Sequence, residues 1–175
     1  MIATTRVLLK NASVAALVAS LGFAAPTAFA DHSGSDFVLS IVADMAHGDR
    51  VQRGDYEQAI RRIRFVDSRY PYPANTNLCV AHIMLQQYDK AQPHCDKAVD
   101  LAAEAASSTR RKDLHYKGEW SAALTNRGAL RALSGNPDGA RADFLEALAL
   151  NADTAAPEIN LAQLEETQAT DLAGN

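Results

Sequence analysis

An alanine, a packing residue four positions later and an apolar residue three beyond recur along the chain: Ala59, Ile63 and Val66; Ala91, Cys95 and Ala98; Ala140, Phe144 and Ala147. These spacings lie on one helical face, so each stretch predicts an amphipathic helix with a small residue where a neighbour approaches closely. A second motif, Asn-x-small, precedes two of these helices and stands again near the C-terminus: Asn77-Leu78-Cys79, Asn126-Arg127-Gly128 and Asn160-Leu161-Ala162. Asn126 to Asn160 is a step of 34 residues, Ala59 to Ala91 one of 32, and Ala91 to Ala140 one of 49, which is 34 with an insertion of 15. A helix pair of this length cannot bury its apolar face alone, whereas stacked pairs share a core.

The unit of helix, turn and helix resembles the tetratricopeptide repeat family. Leu124, Gly128, Ala140, Phe144 and Ala147 fit the family pattern best, with departures at Arg127 and Arg131. The copy before it supplies Leu78, Tyr88, Ala91 and Ala98, with Cys79 in place of glycine and His82 and Cys95 in place of aromatics. The resemblance implies an all-α fold, stacked as a short right-handed superhelix with a C-terminal capping helix. Units are expected near residues 54–70, 72–105 and 121–154, with the cap at 157–167 and a tail at 168–175. Residues 36–52, within an N-terminal segment of 31–53, are expected to hold a helix whose register the pattern does not define. The insertion predicts lengthened helices on both sides of a turn near 107–110, and Pro93 is expected to remove one backbone donor early in its helix.

The first thirty residues carry Arg6 and Lys10, an apolar stretch, and a close on Ala28-Phe29-Ala30, the layout of a cleavable secretory signal. The mature chain is then expected to begin at Asp31 and to be periplasmic or secreted, with no later membrane span. Removing the two basic residues lowers the formal charge from −4 to −6, which argues against a nucleic-acid partner.

By the resemblance, Cys79 and Cys95 lie on facing helices of one unit. An oxidising compartment favours a disulfide between the chain's two cysteines. Two buried free thiols, or a metal held with His82 and His94, are the alternatives; the spacing is not that of a zinc finger. No nucleophile elbow, phosphate loop or paired acid and base is evident, so no enzymatic activity and no cofactor are expected. Asp89, Asp96, Asp100, Asp143, Glu57 and Glu146 are expected on solvated faces.

The resemblance also implies a concave groove for an extended peptide. Its inward positions fall on Thr76, Val80, Ile83 and Met84, then Thr125, Ala129, Ala132 and Leu133, then Ile159 and Gln163. Asn77, Asn126 and Asn160 run beside them as a ladder, since a side-chain amide can both donate to and accept from a peptide backbone. The alternative role for these asparagines is to cap or brace the neighbouring helix. The groove positions are apolar or small and lack a cationic clamp for a terminal carboxylate. The expected partner is therefore a protein or peptide with an apolar segment, and the chain's own residues 37–45 are a candidate occupant when no partner is present. The function expected is that of a protein-interaction module, with self-association as an envelope assembly protein as the alternative.

Overall fold

A computed structural model describes residues 37–63, 69–108 and 114–173. The proposed signal, Val66, and the basic run at Arg110, Arg111 and Lys112 lie outside them. Among the described residues there are seven helices: α1 (Gly48–Gln52), α2 (Tyr56–Ile63), α3 (Pro71–Met84), α4 (Tyr88–Ser108), α5 (Leu114–Leu133), α6 (Pro137–Leu150) and α7 (Ala155–Ala173). Each packs on its neighbour in chain order, and α5 also meets α3 and α7. The fold is all-α.

The sequence period reappears as a repeated turn. At Gly54, Gln86 and Gly135 the backbone takes a left-handed conformation, with φ of 86°, 55° and 80°. Around each, the same two hydrogen bonds close the preceding helix. Asp55, Gln87 and Asn136 donate to the carbonyls of Arg50, His82 and Arg131, while Gly54, Gln86 and Gly135 donate to those of Val51, Ile83 and Ala132. This is the pattern that satisfies the last carbonyls of a helix and reverses the chain, and two of the three positions are glycine because a side chain resists this φ. The turns are separated by 32 and 49 residues, the same steps as the alanines. Pro137 at the first turn of α6 and the Asn136 side chain accepting from the Gly139 amide (3.0 Å) then start the next helix.

This alignment supplies the missing register. Gly54 corresponds to Gln86, so α1 and α2 are joined by the same turn as α3 and α4. The helix expected over residues 36–52 exists only from Gly48 to Gln52. Residues 37–42 are not helical, and Phe37, Val38, Leu39, Ser40, Ile41 and Val42 are all buried. A stretch apolar at nearly every position has no wet face for a surface helix and suits a segment enclosed on all sides. At the other end α7 runs to Ala173, into the expected tail, with Pro157 in its first turn. The insertion lengthens α4 to 21 residues and α5 to 20, and residues 109–113 lie outside the described set. Pro93 sits within the continuous helix α4.

Cys79 and Cys95 form a disulfide across α3 and α4, with 16 residues of separation. With both sulfurs bonded to each other, neither a free thiol nor a metal thiolate is available. The corresponding pair one unit later is Gly128 on α5 and Phe144 on α6, also 16 apart. The bridge therefore stands where the next unit uses an aromatic ring against a glycine. Closing a loop of this length is expected to contribute about 3 kcal/mol by chain entropy. Replacing both cysteines by alanine is expected to lower the unfolding free energy by about that amount in urea titration. An unchanged midpoint would show that the bridge adds no stability.

Candidate functional site

α3, α5 and α7 each carry one asparagine of the ladder, and all three are buried. Asn77 and Asn160 are fully buried and Asn126 is 1% exposed. A primary amide placed there must find both a donor and an acceptor. All three find them on the segment 37–46. The Val38 amide donates to Asn160 Oδ1 (2.7 Å), and Asn160 Nδ2 donates to the Val38 carbonyl (2.9 Å). Ser40 donates to Asn126 Oδ1 (2.7 Å), and Asn126 Nδ2 returns the bond to the Ser40 carbonyl (2.8 Å). Val42 donates to Asn77 Oδ1 (2.9 Å), and Asn77 Nδ2 reaches the carbonyls of Val42, Met45 and Ala46 at 3.1, 2.9 and 3.2 Å.

Each asparagine thus offers the N–H and C=O of one residue the pair of bonds that a neighbouring strand would offer. The contacted residues are every second one, the period of an extended chain. The segment runs from the last asparagine to the first, opposite to the order of the helices. Phe37, Leu39 and Ile41 join the main hydrophobic core, with the Phe37 ring 6.1 Å from that of Phe144. Among the described residues the side-chain bonds of these asparagines all go to this segment and none to a neighbouring helix.

The other expected groove residues divide by burial. Thr76, Val80, Ile83, Thr125 and Ala129 are buried, whereas Met84, Ala132, Leu133, Ile159 and Gln163 are partly exposed. Val80, Ile83 and Ala129 belong to the same core cluster as the segment, and Met84, Ala132 and Leu133 pack against it. Thr125 donates instead to the Ser121 carbonyl of its own helix (2.7 Å).

One cluster departs from the sequence reading. Asp143, expected on a solvated face, is only 2% exposed. Its carboxylate receives Arg127 at 2.8 and 2.9 Å and Arg131 at 2.9 Å, while Asp96 stands 3.6 Å from Arg127. Burial alone would lower the Arg127 pKa. The hydrogen bond and charge of Asp143, helped by Asp96 and Glu146, outweigh it and hold the group above its ordinary value. These arginines are the departures from the repeat pattern at α5, and the partner of Arg127 lies 16 residues on, the offset of the disulfide. That shared offset was the available signal.

His82 and His94 stack with ring centroids 5.7 Å apart, and their Nδ1 atoms meet Gln87 Oε1 and Asn75 Oδ1, each at 2.9 Å. Among the described residues no group of three or more His, Cys, Asp or Glu side chains is placed to hold a metal ion, and no helix is long and apolar enough to cross a membrane. No family model matches the chain, and neither a characterised protein nor a solved structure matches it.

Proposed function

We propose that this chain is an exported, non-catalytic interaction module of tetratricopeptide type. In this reading it holds an extended, apolar segment in the groove of α3, α5 and α7, and its own residues 37–42 fill that groove in cis. The observation that carries the reading is the asparagine ladder. It engages main-chain N–H and C=O groups at every second residue and leaves side-chain choice to apolar packing. Reading the backbone accepts many sequences of the right pattern, as in strand addition to a sheet edge. Export is supported by the signal-like N-terminus, and the disulfide is compatible with an oxidising compartment.

A partner must compete with the tethered segment, whose effective concentration is on the order of millimolar. The test therefore uses the mature chain with Leu39→Asp and Ile41→Asp, which strip the tethered segment of its anchors. A labelled peptide of residues 37–45 is expected to bind this variant at micromolar concentration or tighter. Adding Asn126→Ala is expected to weaken that binding at least about tenfold while helicity is retained. Absence of binding to a helical variant would defeat the reading.

A further inference from the structure

The groove occupant has an unusual attachment. All seven helices follow it in sequence, so a single connection, residues 43–47, joins it to them. That connection folds back tightly. The Met45 amide reaches the Val42 carbonyl at 3.4 Å, and the Gly48 amide reaches the Met45 carbonyl at 3.0 Å. Ala46 and His47 both hold left-handed backbone, with φ of 46° and 55°, although neither is glycine or asparagine. Two consecutive residues of this kind cost free energy that an open, extended connection would not.

Nothing in the contacts requires that the segment belong to the same chain. The ladder bonds go to main-chain groups, and Phe37, Leu39 and Ile41 make nonspecific apolar contacts in the core. A second copy offers the same residues in the same order. We infer that residues 37–42 of one copy fill the groove of another, giving a strand-exchanged dimer in which the bonds to Val38, Ser40 and Val42 are re-formed, while those from Asn77 to the Met45 and Ala46 carbonyls are given up as the bends at Ala46 and His47 open. The inference rests on the groove accepting an extended segment in trans. Withdrawing the segment exposes Phe37, Val38, Leu39, Ile41 and Val42 to water, so exchange passes through a costly open state and is slow. Closure in cis is favoured below roughly millimolar chain concentration unless the bend is altered.

The experiment uses the full mature chain with Ala46→Pro and His47→Pro. Proline holds φ near −65° and forbids the bend. The backbone bonds of this turn are donated by the amides of Met45, Gly48, Arg50 and Val51, not by those of Ala46 or His47, so the helices keep their partners. Light scattering after size exclusion is expected to show a folded dimer, and excess peptide of residues 37–45 is expected to convert it to peptide-bound monomers. The companion variant, Ala46→Gly with His47→Gly, eases the bend and is expected to remain monomeric. A proline variant that is folded and monomeric at every concentration overturns exchange, as does a dimer that the peptide leaves intact, which would be stacked through the helices. If the proline variant does not fold, wild-type chain refolded from urea at increasing concentration decides. A trapped dimer fraction that rises with concentration and dissolves in peptide supports exchange, and its absence overturns it. Peptide binding to the Leu39→Asp, Ile41→Asp chain together with a proline variant that stays monomeric defeats exchange alone, whereas failure of that binding defeats the groove reading as well.

Discussion

Asn126→Ala is expected to lower the unfolding free energy by about 4 kcal/mol, read as a shifted urea midpoint with an unchanged slope. The side chain is nearly fully buried and bonds both the N–H and the C=O of Ser40, at 2.7 and 2.8 Å. Truncation leaves a donor and an acceptor unpaired in the interior, each costing roughly 1–3 kcal/mol. Against a total stability of about 5–15 kcal/mol the loss is large. Asn126→Asp is expected to give no rescue, because a carboxylate still accepts from the Ser40 amide but meets the Ser40 carbonyl with a second acceptor. A loss under about 1 kcal/mol for the alanine variant would mean that the Ser40 peptide finds other partners and that the central rung contributes little.

The second large effect lies where α5 meets α6. A Cβ added at Gly128 would fall 2.5 Å from Cε1 and 2.8 Å from Cδ1 of Phe144. The ring is fully buried and also faces Phe37, so it has little room to withdraw. Gly128→Ala is therefore expected to cost about 3 kcal/mol, the upper part of the range for overpacked cores. Phe144→Leu alone should cost about 1–2 kcal/mol by leaving a void. The two lesions are complementary, so the double variant is expected to lose at least about 1 kcal/mol less than the sum of the singles. Strict additivity would show that the glycine is not there to admit the ring.

The helix pairs could be read from the chain because their signals are local. Ala59, Ala91 and Ala140 mark close approaches within single helices, and Gly54 and Gly135 mark turns by their own conformational freedom. The asparagines could be picked out by their recurrence, but their partner could not be assigned by any local rule. Asn160 meets Val38 across 122 residues, and an amide suits a peptide backbone or a neighbouring helix equally well. Asp143 misled for a related reason. A carboxylate at helical spacing is usually solvated, and only two arginines projecting from α5 make its burial tolerable.

The apolar run from Phe37 to Val42 carries no period that separates helix from extended chain, so its conformation was open until the groove enclosed it. By itself the sequence determined the helical class, the repeat steps of 32 and 49 residues, and which side chains stand in corresponding places. Only the tertiary structure decided that Cys79 and Cys95 are joined and that Asn77, Asn126 and Asn160 converge on one segment. Helix periodicity is written in neighbouring residues, whereas a buried amide's partner is chosen by whichever unpaired backbone the folded chain brings within reach.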